Sequence, residues 1–347
     1  MNSSLKKWLR RGWLGLILAA LWSSWLGITT NDKALAQEPV NGIPPGYQII
    51  EGDILVPDDW QETEAVWETQ FWTNGVVPYV FAPTISAANR DYMELAMAEW
   101  EQVANVDFRP RNGDPNYIYI RPNPNSSNAS WSEVGMNGGQ QFVSIGANHW
   151  SQRFVLAHEL GHTLGLWHEQ NRSDRDSYIT INFANVLPDT PGQCYSCQFN
   201  LNPAADVYPK QAYGLSGEET YDFDSVMHYG PNNFCVNPCP SPTIQVNPPY
   251  AAIWQSQIGQ RKHLSELDQL TVSFFYPEDD WHFVDQTYTG FFELGLFTYP
   301  YRTVENDYTN VPGGGTLWVQ PGNYSAVGVY DNPRIIRAPL GHVTLGP

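Results

Sequence analysis

The chain has 347 residues and is strongly acidic, because 36 Asp and Glu outnumber 18 Lys and Arg and give a formal charge of −18. This balance argues against nucleic acid and anionic membrane surfaces as partners, since both are bound through basic patches. Apolar residues make up 42% of the chain, with 14 Trp, 19 Tyr and 15 Phe among them. That is enough to build the core of one catalytic domain and a smaller second unit.

The first 36 residues predict an export signal. Basic residues at 6–11 precede an apolar stretch at 12–28, and Ala34-Leu35-Ala36 places small residues where a signal peptidase cuts. The alternative is a membrane anchor, but an apolar run of about 17 residues is at the short limit for a span. We expect cleavage after Ala36 and a secreted product, with the periplasm as the alternative compartment.

A domain begins near Ala65 and alternates between strand and helix patterns. Short apolar or alternating runs predict three strands, at 76–81, 117–120 and 141–145. Apolar residues at helical spacing predict three helices, at 87–104, 152–167 and 263–276. The predicted buried stripe of the first helix consists of Tyr92, Leu95, Ala96, Trp100 and Val103. Residues 171–224 lack regular periodicity, so we expect mostly loops there.

The cysteines predict a covalent device in the second half of this domain. There are four of them: Cys194, Cys197, Cys235 and Cys239. In an exported protein an even number favours disulfides, with three pairings open. The alternative is a second zinc site, because C-x2-C followed by C-x3-C has ligand-like spacing. With either device we expect the 194–197 loop to be held against the 235–239 loop.

The composition changes after Pro277. From Trp281 onward the chain is rich in aromatic residues, Gly and Thr, with short alternating runs such as 316–320. This pattern predicts a small all-β module. Residues 311–324 and 340–346 resemble short β-helix-like segments, in which glycines and alternating apolar residues form stacked turns. A role in binding a surface or carbohydrate is a hypothesis.

The main chemical signal is His158-Glu-Leu-Gly-His-Thr-Leu-Gly-Leu-Trp-His168. Residues four apart lie on one face of a helix, so His158 and His162 can bind one Zn²⁺ together. Glu159 adjoins them and can act as the general base for water attacking a carbonyl. Gly165 permits a positive φ that ends the helix, so that His168 can return as the third ligand.

Three neutral histidines leave one coordination position open, as catalytic zinc sites require and structural sites do not. A bare HExxH occurs by chance in many chains. Five fixed positions within eleven residues, on a predicted helix, are far more specific. We therefore predict one catalytic Zn²⁺.

The motif is similar to that of the metzincins, and its continuation at 169–179 resembles the astacins in particular. Residues 221–230, which include Met227, resemble the astacin Met-turn, and 258–268 are similar to the family's C-terminal segment. The resemblance covers residues 48–277. It implies an astacin-like zinc metalloendopeptidase of the α+β class. Its metzincin-like domain would have a mixed twisted sheet, two long helices and a loop-rich C-terminal half.

The resemblance also implies roles for single residues. His158, His162 and His168 would be the zinc ligands and Glu159 the general base. Tyr229 would be an extra, displaceable ligand that hydrogen-bonds the oxyanion where negative charge develops. The alternative for Tyr229 is an ordinary core tyrosine.

Three further roles are implied nearby. Met227 would form the apolar floor under the metal, and Glu169 would pair with the ammonium of the mature N-terminus in a buried ion pair. Arg261 would lie near the first primed subsite and favour acidic side chains there, because a guanidinium suits a carboxylate. The alternative for Arg261 is a solvated surface position. His228 is interpreted as a packing residue.

Residues 49–54 resemble the propeptide switch of the astacins, in which an aspartate occupies the open zinc position. Asp53 would be that residue and would keep the precursor silent; the alternative is a Gly-Asp turn before a strand. No Lys or Arg occurs between Lys33 and Arg90, so a trypsin-like activator has no site there. We hypothesise processing around Thr63–Ala65 by another protease or by autolysis. N-terminal sequencing that finds residue 37 first in the active enzyme would contradict this.

These patterns divide the chain into a signal peptide at 1–36, a propeptide at 37–64, an astacin-like catalytic domain at 65–277 and a β-rich module at 278–347. The predicted function is a secreted zinc endopeptidase acting on proteins or peptides. One alternative is a catalytically weak, zinc-stabilised peptide- or surface-binding protein, and Glu159 argues against it because such a protein needs no base. Another places the function in the C-terminal module, with the protease domain as its carrier.

Overall fold

A computed structural model describes residues 42–60, 71–191, 193–202, 205, 221–297, 299–305, 315–326, 335–338 and 342–346. The predicted signal peptide and the predicted processing point at 63–65 lie outside the described residues. By its internal contacts the chain divides into residues 1–45 and residues 46–347, and the description below concerns the second unit.

Seven strands form the central sheet, in the order β1-β2-β6-β7-β5-β3-β4. In chain order they are β1 Tyr47–Ile50, β2 Ile54–Pro57, β3 Val76–Phe81, β4 Asp107–Pro110, β5 Tyr117–Pro122, β6 Trp131–Ser132 and β7 Gln140–Ile145. Strands β4, β3, β5 and β7 pair in parallel, while β6 runs antiparallel to β7. The hairpin β1–β2 extends the sheet, because β2 joins β6 in parallel through Ile54 and Ser132.

The three predicted strands are confirmed as β3, β5 and β7. The hairpin, β4 and β6 were not predicted. Each of these strands has four residues or fewer, too short for alternation to be visible in the sequence.

The described chain contains four α-helices: α1 Ala87–Val103, α2 Arg153–Thr163, α3 Ala251–Trp254 and α4 Glu266–Phe275. The side chain of Ser86 caps α1 by accepting the N–H of Asn89. Trp100 joins α1 to α2 by donating its indole N–H to the carbonyl of Ala157, at 2.9 Å. Helix α2, which carries the histidine motif, is thereby fixed against α1, the longest of the described helices.

The predicted buried stripe of α1 was wrong at two positions. Tyr92 and Leu95 are 39% and 49% exposed. The residues that face the core are Met93, Ala96, Met97 and Trp100. The two methionines complete an i, i+3, i+4, i+7 stripe, which turns the buried face by about one residue from the predicted one.

Helix α2 ends at Thr163, four residues before the predicted end. The cause is Gly165, whose φ of +108° reverses the chain. Leu166 and Trp167 are buried although they lie beyond the helix. Their burial explains why the apolar pattern continued past the true boundary.

The second half of the domain consists mostly of loops and short 3-10 turns, as expected. Two short strands, β8 Ile179–Ile181 and β9 Ile244–Val246, pair antiparallel. A cluster of buried aromatic and aliphatic residues, which includes Tyr178, Phe223 and Tyr229, forms the core of this half.

The four cysteines form disulfides, but not between the two loops. Cys194 pairs with Cys197 and Cys235 pairs with Cys239. The expectation that one loop is tied to the other was therefore wrong. Each bridge closes a short turn within its own loop, and the loops meet through aromatic packing of Tyr195 on Phe234 instead.

Beyond Pro277 the described strands are β10 Trp281–Val284, β11 Thr316–Val319, β12 Gly322–Tyr324, β13 Ile335–Arg337 and β14 Val343–Leu345. They form two small sheets, β10-β11-β13 and β12-β14, in which every strand pairing is parallel. These strands share a core with the preceding domain. Phe274 of α4 packs on Phe283 and Trp318, with ring centroids 5.0 Å apart in both cases.

Candidate metal centre

The motif histidines converge on one point. His158 and His162 lie one turn apart on α2, with their Nε2 atoms 3.2 Å from each other. After the turn at Gly165, His168 places its Nε2 3.4 Å from that of His158. All three side chains are buried. The predicted ligand set is thus brought together by one helix and the turn that follows it.

Asp53 occupies the fourth side of this cluster. Its Oδ2 lies 3.2 Å from His158 Nε2, and its Oδ1 lies 3.0 Å from His168 Nε2 and 3.6 Å from His162 Nε2. Asp53 stands between β1 and β2, and its carbonyl accepts the N–H of Ser132 at 3.0 Å. The predicted switch residue therefore reaches the histidines because the hairpin is bonded to the edge of the sheet.

The four side chains have the spacing of a tetrahedral zinc site. Zinc with bonds of about 2.05 Å sets its ligand atoms about 3.3 Å apart. The ligand atoms of Asp53, His158, His162 and His168 all lie within 4.8 Å of one another. Oδ1 of Asp53 is buried and takes part in no hydrogen bond among the described residues. These atoms point at a common centre rather than at each other, so the residues fit a zinc ion.

The opposite ring nitrogens are held by acceptors. Nδ1 of His158 lies 2.7 Å from the carbonyl of Val226, and Nδ1 of His162 lies 2.8 Å from the carbonyl of Leu166. Such acceptors keep the proton on Nδ1 and leave Nε2 free for the metal. For His168 the acceptor is a side chain, that of Glu51, at 3.0 Å.

Electrostatics favour a positive charge at this centre. Burial by itself would raise the pKa of Asp53, but the charge of the facing His168 and the close approach of all three imidazoles hold that pKa well below its usual value. Burial by itself would lower the pKa of His168, but the carboxylates of Asp53 and Glu51 raise it to about 9. A bound divalent cation would supply a positive charge that balances the negative charges of these two carboxylates.

Glu159 lies on α2 beside the cluster and is buried. The hydroxyl of Ser132 donates to its carboxylate at 3.2 Å and lies 2.9 Å from its backbone carbonyl. Burial raises the pKa of Glu159, and the charge of Asp53 raises it further. Strand β6, which lies between β2 and β7, thus positions the carboxylate predicted to be the base.

Met227 lies beneath the zinc-motif helix. A Cβ atom at Gly161 would come within 2.8 Å of the Met227 sulfur, so glycine is needed for this close approach. The turn that carries Met227 is fixed by Asp268 on α4, which accepts the hydroxyl of Ser225 at 2.6 Å and the N–H of Val226 at 2.8 Å. A packing role for Met227 agrees with this position.

The hydroxyl of Tyr229 points at residues 49–54, where it donates to the carbonyl of Glu51. Its backbone N–H donates to the side chain of Gln170 at 2.9 Å. A Cβ atom at Gly52 would lie 2.5 Å from the Tyr229 hydroxyl. Glycine is therefore required at position 52, where φ is +80°.

The remaining predicted residues lie around this centre. Glu169 is buried and accepts from Arg172 at 2.8 Å and from the N–H of Asp222 at 2.7 Å. The mature N-terminus, its predicted partner, lies outside the described residues. Arg261 is partly buried and donates to the carbonyls of His228 and Gln260, at 3.1 and 2.8 Å. Its charge opposes protonation of His158 and stabilises ionised Glu159, although burial is the larger influence on both.

The model of the astacin peptidase family matches residues 64–277. The chain belongs to the astacin family. It is a zinc metalloendopeptidase with one catalytic zinc ion, and the histidine cluster is the site able to hold that ion.

Several astacins are similar to this chain. High choriolytic enzyme 2 of Oryzias latipes is 30% identical over 241 residues, which are 66% of this chain and 75% of that protein. Bone morphogenetic protein 1 of Xenopus laevis is 38% identical over 165 residues, which are 47% of this chain and 21% of that protein. The solved structure of high choriolytic enzyme 1, a hatching enzyme zinc-protease from Oryzias latipes, aligns with a TM-score of 0.50 at 29% identity. That alignment covers 61% of this astacin and 98% of the solved chain.

Several residues of the site were not predicted. They are Glu51, Ser132 and Asp268, together with Gln198, which accepts the N–H of Gly52, and Asn202, which donates to Glu51. Asp268 could have been found, because Ser265-Glu-Leu-Asp268 has the spacing of a capping box, which the structure contains. The others contact the centre only through tertiary folding, and nothing local in the sequence marks them.

Proposed function

We propose that this astacin is made as a latent precursor in which Asp53 occupies the fourth zinc position. The observation that carries the proposal is the placement of Asp53 within 3.0 to 3.6 Å of the three histidine Nε2 atoms. A carboxylate there leaves no room for water or a substrate carbonyl. Residues 46–58 are called the latch below, because the hairpin β1–β2 carries Asp53 to the three histidines.

The test compares the full chain with its Asp53→Ala and Asp53→Asn variants, each carrying zinc. We expect the purified wild-type precursor to cleave casein slowly and both variants to cleave it at least tenfold faster before any processing. Asp58→Asn is a matched control in the same segment, since Asp58 is exposed. Equal initial rates for wild type and Asp53→Ala would contradict latency.

In the processed enzyme, His158, His162 and His168 would hold the ion. Zinc when bound supplies a Lewis acid that polarises the scissile carbonyl and activates water. Glu159 accepts the proton of the attacking water and passes it to the leaving amine. The support is its position beside the ligands on α2 and the hydrogen bond from Ser132 that orients its carboxylate.

Tyr229 is proposed to stabilise the oxyanion of the reaction. In the precursor its hydroxyl donates to a peptide carbonyl, that of Glu51, at the mouth of the cluster. When the latch leaves, the same donor becomes free for a substrate oxygen. Burial keeps the phenol protonated by raising its pKa well above the usual value, so it remains a donor.

A preference for acidic side chains at the first primed subsite is proposed for Arg261. Its support is the hydrogen bond from the guanidinium to the carbonyl of His228, the residue that precedes Tyr229. Substrates would be proteins or peptides. The two disulfides favour an extracellular enzyme. None of the helices in the described ranges is both long and apolar enough to cross a bilayer.

A further inference from the structure

The three zinc ligands differ in how they are oriented. His158 and His162 donate from Nδ1 to backbone carbonyls of their own domain, Val226 and Leu166. His168 donates to Glu51, which belongs to the latch. The partner of one ligand is therefore supplied by the segment that leaves on activation.

Glu51 occupies a site built by the protease domain. One carboxylate oxygen lies 3.0 Å from His168 Nδ1, and the other accepts the amide of Asn202 at 2.7 Å. Both Glu51 and Asn202 are buried, at 4% and 1% exposure. The carboxylate thus has a donor for each oxygen in a dry environment, where charge-assisted hydrogen bonds are strong.

The backbone around Glu51 is held in the conformation that this contact needs. Glu51 has a φ of +46°, which is unusual for a residue with a side chain. The N–H of Gly52 donates to Gln198 at 2.5 Å, and the hydroxyl of Tyr229 donates to the carbonyl of Glu51. Surrounding contacts of this kind are what maintain a strained residue at a functional site.

We propose that His168 Nδ1 and Asn202 Nδ2 form a carboxylate-binding site that Glu51 fills in the precursor and that a glutamate side chain of a bound peptide fills in the processed enzyme. This inference rests on the proposed function, because it assumes that the latch leaves on activation. The site is separate from Arg261, whose guanidinium donates to the carbonyls of His228 and Gln260.

The chemistry of the donors selects the ligand. A histidine that binds zinc through Nε2 keeps its proton on Nδ1, so this donor is present whether or not zinc is bound. A carboxylate accepts from both donors at once, whereas the amide of glutamine turns an NH₂ group toward one of them. Aspartate is one methylene shorter and cannot reach both from the same backbone position.

The test uses the processed zinc enzyme, released from the full chain, and a synthetic peptide of residues 46–58. The peptide is prepared as wild type and as Glu51→Gln, Glu51→Asp and Asp53→Ala. Affinities are measured by calorimetry with the zinc enzyme and again after chelation. We expect Glu51→Gln to weaken binding about tenfold or more in both states, as the loss of a charged hydrogen bond does. The effect must persist without zinc.

The enzyme variant Asn202→Asp sharpens the test, because it is isosteric and places a carboxylate against Glu51. We expect it to reverse the preference, so that the Glu51→Gln peptide binds more tightly than the wild-type peptide. In the full chain, Glu51→Gln should speed amide hydrogen exchange of residues 47–57, while the exposed Asp58→Asn should leave it unchanged.

The outcomes separate the two proposals. If Asp53→Ala weakens the peptide but Glu51→Gln does not, the carboxylate site is wrong and the latch stands. If Asp53→Ala binds the zinc enzyme as tightly as wild type, the latch itself is wrong. A wild-type peptide that fails to bind at millimolar concentration overturns the site for bound peptides.

Discussion

Glu159 shows how a single residue depends on its neighbours. Its carboxylate is buried, has a raised pKa and accepts a hydrogen bond from Ser132 on β6. Glu159→Gln keeps the size and the acceptor but cannot take a proton. We expect kcat/KM on a peptide substrate to fall about 10²- to 10⁴-fold with zinc content unchanged.

The matched control for that prediction is Ser132→Ala, which removes the hydrogen bond and leaves the base. Its kcat/KM should fall much less than that of Glu159→Gln. A Glu159→Gln enzyme that cleaves as fast as wild type would contradict the role of the base.

Glu133, which follows Ser132 in the chain, is another buried carboxylate. It accepts the N–H of Phe142 at 2.9 Å and the amide of Asn137 at 3.3 Å, and burial raises its pKa to about 7. Because the pKa of Glu133 is higher in the folded state than in the unfolded state, the folded protein binds the proton of this carboxyl group more tightly. The contribution of Glu133 to the free energy of unfolding is complete below pH ~4.5 and is lost as the pH rises toward 7.

Glu133→Gln should therefore stabilise the protein at pH 8, by up to about 3 kcal/mol, and leave stability nearly unchanged at pH 4.5. Thermal unfolding across this pH range measures the effect. Glu266→Gln, at an exposed position, is the control and should not change the pH dependence. A Tm difference that does not vary with pH would contradict the assignment.

Among the elements, α4 holds the Met-turn in place. Asp268 closes a capping box with Ser265 and also accepts from Ser225 and Val226 of the turn. Removing this carboxylate leaves buried donors unpaired and frees the backbone that orients His158. We expect Asp268→Ala to lower the free energy of unfolding by about 2–3 kcal/mol and to weaken zinc retention.

Chemical denaturation and zinc competition with a chelator measure these two effects. Glu266→Gln, in the same first helical turn but exposed, should change neither. Weakened stability with unaltered zinc affinity would contradict the link between α4 and the metal centre.

For the whole molecule, removing residues 278–347 is expected to destabilise the domain that precedes them. Phe274 of α4 is buried against Phe283 and Trp318, so a chain ending at Pro277 exposes it. Each large side chain that loses its burial costs about 1.5–3 kcal/mol. We expect this truncation to lower Tm by several degrees and to reduce soluble yield.

Adding Phe274→Gln to the truncated chain should recover solubility, because the uncovered face then becomes polar. In the full chain the same substitution should be destabilising. A truncated enzyme with the Tm of the full chain would show that the module folds and packs independently.

The sequence by itself determined the metal chemistry, because the histidine spacing and Gly165 act within one helix and one turn. It also determined the long strands and the two long helices, whose periodicity extends over enough residues to be visible. It did not determine short elements such as the hairpin β1–β2, or the buried face of α1, where two methionines replace the predicted Tyr92 and Leu95.

Only the tertiary structure decided which distant groups meet at the metal. Glu51 and Asp53 are far from His168 and Asn202 along the chain. In the fold, both carboxylates contact His168, and Glu51 also accepts the amide of Asn202. Their meeting depends on the pairing of the hairpin with β6 at Ser132 and on the loop that brings Asn202 to Glu51. The disulfide pairing was likewise decided by loop geometry, since the cysteine spacing fits several pairings equally well.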